Sequence, residues 1–146
     1  MREILFRAKR INDGGWAYGQ LLKIYNEYYI ITKENQHICY CNCGTLEFCD
    51  VQEIDSDTIG QYTGLTDKNG KKIWENDIVD AGVVGSLRKL RYTVGYDDAY
   101  AAFWLFDSDG DPVEDLVIWS SGTQLKVIGN IFDNPDLLTT SSTDSD

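Results

Sequence analysis

Apolar and polar positions alternate along most of this chain, in short runs broken by Gly, Asn and Asp. Over residues 2–10, Ile4, Phe6 and Ala8 fall on one face, with Glu3, Arg7 and Lys9 on the other and Leu5 the exception. A period of two predicts a strand, because successive side chains of an extended chain point to opposite sides. Asn12-Asp13-Gly14-Gly15 predicts a turn. Trp16, Tyr18, Leu22 and Ile24 then alternate, with Gln20 as the break. Glu27 to Thr32 is aromatic and β-branched, the composition strands prefer. Further strands are expected from His37 to Cys43 and, shorter, from Glu47 to Val51.

The second half continues the pattern. In the run from Ile59 to Val79, Asn69-Gly70 predicts a tight turn, because both residues tolerate positive φ. Glu75-Asn76-Asp77 predicts a second turn, leading into a strand at Asp77–Ala81. Leu90, Tyr92, Val94 and Tyr96 share a face until Asp97-Asp98 breaks the run. Ala101–Phe106 is short enough for a buried strand. Asp115–Trp119 fits a strand or a short helix, and Gln124–Asn130 predicts a last strand. Pro135-Asp136-Leu137-Leu138 predicts one helical turn capped by Asn134. Many short strands with Gly and Asn turns predict an all-β fold with few helical turns, a barrel or a sandwich. The polar stretch at Asp55–Thr58 divides an N-terminal module, 1–57, from a C-terminal one, 58–138. Residues 139–146 are Ser, Thr and Asp only, and predict a disordered tail.

Charge changes what such a fold can be asked to do. Thirteen basic and 24 acidic residues among 146 leave a formal charge of −11. Phosphate binding requires positive charge, so direct nucleic-acid binding is excluded as an expectation. Dispersed acids read as solvated turns. The sharper alternative is a negative surface that imitates nucleic acid and blocks a basic site. No apolar run is long enough to span a bilayer and no signal-peptide pattern opens the chain, so the expected location is cytoplasmic.

Candidate chemistry is sparse. His37, Cys39, Cys41 and Cys43 fall on one strand face, with Cys49 six residues on. Zinc needs ligands converging on a tetrahedron, and side chains along a flat strand diverge. Cysteine as a small buried hydrophobe is the reading taken, with zinc at those five residues the alternative. His37 is the single histidine and has no acidic neighbour in sequence to orient it. Asp107-Ser108-Asp109-Gly110-Asp111 has its glycine too early for a calcium loop and reads as a hairpin turn. Tyr96, Asp97, Asp98, Tyr100 and Trp104 mix rings with carboxylates beside a turn, which suits a rim for a partner or small ligand. No nucleophile, paired-carboxylate or phosphate-loop motif is present, so no cofactor and no enzymatic activity are expected.

The run Gly60-Gln61-Tyr62-Thr63-Gly64-Leu65, followed by Asp67-Lys68-Asn69-Gly70-Lys71, Ile73 and Glu75-Asn76-Asp77-Ile78-Val79, resembles the signature block of the YopX family of phage and prophage proteins. Arg2–Ala8 resembles the family's opening strand, and Val127–Leu138 its closing signature. Asn76 stands where the family usually has Gly, and the cysteine cluster is not a family feature. The resemblance implies small β-barrel-like modules joined near residue 58, in the cytoplasm of an infected or lysogenic bacterial host cell. It carries no established activity. The resulting expectation is an accessory protein that acts by binding or assembly, with a host or phage protein as partner. Exposed strand edges make a homo-oligomer part of that expectation. The alternatives are the acidic mimic and a protein that sequesters a small ligand.

Overall fold

The computed structural model describes residues 1–32, 38–40, 46–48, 51–82, 89–117 and 125–139. The chain divides into two compact units, Met1–Tyr62 and Thr63–Asp146.

The first unit contains β1 (Phe6–Lys9), β2 (Trp16–Ile24), β3 (Glu27–Thr32), β4 (Ile38–Tyr40), β5 (Leu46–Phe48) and β6 (Val51–Glu53), with a 3₁₀ turn at Ser56–Thr58. The start of β7 (Gly60–Thr66) also belongs to it, because Gly60 and Gln61 pair with Arg7 and Phe6. Within this unit the order is β6-β3-β2-β1-β7, and β4 and β5 form a separate ribbon. One strand was expected over Glu47–Val51; the structure has two short ones, β5 and β6, which pair with different partners.

The alternation in β1 and β2 is as expected, but the inward face of β2 is the small-residue one. Ala8 and Ala17 are fully buried with Ile30 and Ile54, whereas Tyr18 and Ile24 on the opposite face are almost half exposed. Backbone crowding explains this: a Cβ on Gly19 would lie 1.9 Å from the Ile31 carbonyl oxygen, so this part of the face admits no bulk. The sheet curls until Arg10 meets Ile54 in one isolated bridge. Neither sheet closes into a barrel among the described residues, because a single bridge does not extend into a ladder.

The second unit holds the rest of β7, then β8 (Lys72–Trp74), β9 (Asp77–Gly82), β10 (Lys89–Asp97), β11 (Ala102–Phe106), β12 (Pro112–Asp115) and β13 (Leu125–Asn130). A short helix, α1 (Asp136–Thr139), follows. Five strands pair antiparallel in the order β12-β11-β10-β9-β13. Register sets the core: Val79 lies opposite Tyr92 and Val127, Val94 opposite Leu105, and Ala81 opposite Leu125. These residues pack with Ile73 and Leu116, which are fully buried. Each large aliphatic side chain so removed from water contributes about 1.5–3 kcal/mol.

Turns carry the sequence signals into three dimensions. Gly70 has φ +80° in the β7–β8 turn, and Asn76 has φ +73° in the β8–β9 turn, the left-handed conformation that Asn tolerates better than most residues. Before α1, the Asn134 backbone carbonyl accepts from the Leu137 amide (3.1 Å). Its Oδ1 accepts from the Asn130 amide (3.3 Å) and lies where a Cβ on Gly129 would intrude.

Candidate functional site

The hairpin of β10 and β11 brings the five aromatic and acidic residues of the expected rim to one end of the second sheet. Cross-strand register puts Tyr96 opposite Phe103, Asp97 opposite Ala102 and Gly95 opposite Trp104. Opposed residues of an antiparallel pair share a face, and the faces alternate. Tyr96 and Phe103 therefore continue the core face, ring edge to ring face at 5.5 Å and 75°. Asp97 and Trp104 lie on the other face. The five do not form one surface.

The connecting turn is built by Asp97. Its Oδ1 accepts from the Ala99 amide at 2.9 Å and the Tyr100 amide at 3.2 Å, an aspartate turn that reverses the chain. Ala101 then takes φ +52°. This folds Tyr100 back so that its ring stacks on Trp104, centroids 4.4 Å apart and planes 22° from parallel. Tyr100 stays 62% exposed. The Trp104 indole Nε1 beneath is buried and has no hydrogen-bond partner. A buried donor left unpaired costs about 1–3 kcal/mol.

Two contributors escape notice in the sequence. Phe106 lies over Gly95, where an added Cβ would stand 2.8 Å from the ring. The signal was a glycine interrupting an otherwise bulky strand, directly before Tyr96. Together Tyr100, Trp104 and Phe106 make an aromatic strip, with Asp98 exposed in the adjoining turn.

The acids have a structural use that composition alone hides. Asp13, Asp55, Asp67, Asp97, Asp107 and Asp115 each accept a hydrogen bond from the amide two residues on. Asp67 goes furthest. It is 7% exposed, and its carboxylate accepts from the amides of Asn69 (2.8 Å), Lys71 (2.9 Å) and Val127 (3.0 Å). Burial pushes its pKa up, but those three amides and the charge of Lys71 outweigh burial and hold it below the ordinary value. Asp107 makes the same local turn but lacks the long-range bond.

Elsewhere, burial and then the charge of Asp107 raise the Tyr92 hydroxyl. Asp80 pairs with Arg91 (Oδ1 to Nε 3.4 Å), and Arg91 Nη1 donates to the Leu137 carbonyl at 3.0 Å, fastening α1 to the sheet.

For the thiol and imidazole set, His37, Cys41, Cys43 and Cys49 lie outside the described residues, and Cys39 lies in β4, described by its backbone. Among the described residues no group of three or more His, Cys, Asp or Glu side chains is placed to hold a metal. No helix among them is long and apolar enough to cross a membrane.

Known proteins resemble this chain along most of its length. The family model described as YopX protein matches residues 5–139. The crystal structure of protein EF1440 from Enterococcus faecalis is 28% identical, with a TM-score of 0.57, and the match covers 94% of this chain and 99% of that one. Among curated proteins none matches.

Proposed function

The chain belongs to the YopX family, and from that premise we propose that it is a phage-type accessory protein of the bacterial cytoplasm that works by binding a macromolecular partner rather than by turnover. The exposed, stacked Tyr100 over Trp104 carries this reading. An aromatic ring held rigid by its neighbour loses little entropy on docking, and such rings are enriched where partners meet. Aspartates on the adjoining turn suit a partner with basic groups around an apolar contact.

The alternatives gain less. An imitation of nucleic acid asks for carboxylates gathered on one face. Here Asp97 and Asp107 stand at opposite ends of β11, each committed to turn amides. Edge-to-edge self-assembly meets obstacles in the second sheet. Edge strand β12 is four residues long with a proline and two acids, and the outer side of β13 is occupied by the Asp67 loop. Self-association, as a homo-oligomer, then falls to faces.

The test is affinity capture from infected host cells with the wild-type chain and with Tyr100→Ala. We expect a partner whose recovery falls at least about tenfold with the variant, as loss of an aromatic anchor does. Equal recovery by both removes the aromatic rim from the function. Binding to a basic nucleic-acid enzyme that collapses with salt, unaffected by Tyr100→Ala, moves the reading to the mimic.

A further inference from the structure

Residues 92–124, which include most of β10, all of β11 and β12 and the turns between them, contain seven Asp and Glu and no Lys, Arg or His. More than half of the formal charge of −11 therefore falls within this part of the second unit. We propose that the aromatic strip inside it seats an arginine of a partner protein, with the guanidinium flat on the open face of Tyr100. This rests on the reading of the Tyr100 rim as the binding surface, and goes beyond it in naming the group that sits there.

The ring comes first. One face of Tyr100 is taken by Trp104, with centroids 4.4 Å apart and planes 22° from parallel. The residue is nevertheless 62% exposed, so its other face meets water. A ring held this way attracts a cation through its quadrupole. The guanidinium suits it better than an ammonium, being planar, weakly hydrated and able to stack. Its N–H edge then remains for a carboxylate. Asp98, two residues before Tyr100, is exposed and makes no hydrogen bond or ion pair among the described residues.

The surrounding charge is unopposed within the sheet. The five strands hold three cations, Lys89, Arg91 and Lys126. Lys89 and Arg91 lie toward the far end of β10, with Arg91 about 20 Å along the strand from Asp97. Arg91 is also engaged with Asp80 and the Leu137 carbonyl. Lys126 lies on β13, three strands from β11. Carboxylates bracket the strip instead: Asp97 and Asp98 before β11, Asp107 after it, and Asp115 opposite Trp104 in register. Asp97, Asp107 and Asp115 accept turn amides, which favour the charged form and fix its position. The two ends of β11 are about 17 Å apart, the reach of about five extended residues. A complementary segment thus carries the arginine, apolar side chains over Trp104 and Phe106, and a second basic group about five residues on.

The test selects peptides from a displayed library of random dodecapeptides with the full chain at low salt; recovered peptides are synthesised and titrated. We expect them to carry an arginine, with a second basic residue about five positions away. Replacing the arginine by citrulline, its uncharged isostere, weakens binding about tenfold. Tyr100→Leu, which keeps apolar bulk but has no π face, weakens it about fivefold, while Tyr100→Phe binds as wild type. Asp98→Asn weakens it about threefold. Asp57→Asn, an exposed charge of the first unit, leaves it unchanged. Peptides without arginine overturn the assignment; if they still weaken with Tyr100→Leu, the rim survives as a purely apolar anchor. Arginine peptides indifferent to both Tyr100→Leu and Asp98→Asn overturn the assignment and the rim together. Equal binding of the citrulline peptides, or no peptide recovered above background, also overturns it.

Discussion

Two turns in the second unit are the same object in different settings. Asp67-Lys68-Asn69-Gly70-Lys71 joins β7 to β8, and Asp107-Ser108-Asp109-Gly110-Asp111 joins β11 to β12. In each, the first aspartate accepts from the amides two and four residues on (2.8 and 2.9 Å in one turn, 3.0 and 2.9 Å in the other). In each, a backbone bond closes the loop, at 2.8 Å from Asp67 to Lys71 and 2.9 Å from Asp107 to Asp111. Each glycine is left-handed, Gly70 at φ +80° and Gly110 at +84°. The difference lies in one oxygen. Asp67 Oδ2 reaches the Val127 amide, while the Lys68 amide bonds the Leu125 carbonyl at 3.0 Å, so this loop plugs the open side of β13. The Asp107 loop shapes its own hairpin and makes no long-range hydrogen bond among the described residues. Identical local chemistry thus serves as a hairpin turn in one place and as an edge guard in the other; the surroundings decide which.

That contrast can be broken. Asp67→Ala strips acceptors from three amides, one of them the buried amide of Val127, and should cost about 2–4 kcal/mol in urea unfolding. Asp107→Ala loses only exposed bonds and should cost about 1 kcal/mol or less. Similar losses at the two positions would mean the long-range bond contributes nothing.

The charge on Asp67 sharpens it further. With its folded-state pKa lowered, the unfolded chain takes up the proton first as pH falls. The stabilisation is therefore complete above the ordinary value of 3.8 and is lost as pH falls through the lower folded value. Asp67→Asn should be less stable than wild type at neutral pH by about 1–2 kcal/mol, a gap that closes as the solution is acidified below the ordinary value. A constant gap for Asp67→Asn over the whole range refutes the assignment.

The glycines test the likeness rather than the difference. Both have open space around a built Cβ, so only backbone strain opposes a side chain. Gly70→Ala and Gly110→Ala should each cost about 1 kcal/mol, equal within error. Smallest is Asn76→Gly. At φ +73° it exchanges mild strain for unfolded-state entropy and should move stability by no more than about 0.5 kcal/mol.

Strand pattern and turn chemistry are local properties, and both were legible. Trp16–Ile24 and Glu27–Thr32 appear with the bounds their alternation implies, and Asn76 adopts the conformation its substitution for Gly requires. Which face of β2 turns inward was not legible, because the deciding contact is between Gly19 and the Ile31 carbonyl, twelve residues away. The kinship of the two aspartate turns was present as Asp-x-Asn/Asp-Gly, yet five residues are too few to register as a repeat. At the rim, period two places Tyr96 and Trp104 on different faces only once the register with β11 is known.

Strand order has a bearing on how this chain is made. β9 is buried along Asp77, Ile78 and Val79 and lies between β10 and β13, and β13 follows it in the chain by more than forty residues. Until Leu125–Asn130 leaves the ribosome, β9 is a bare apolar edge, the kind of surface that recruits other chains. The second unit therefore completes only after translation has passed residue 130. Chains that stop before it should be found in inclusion bodies rather than in solution.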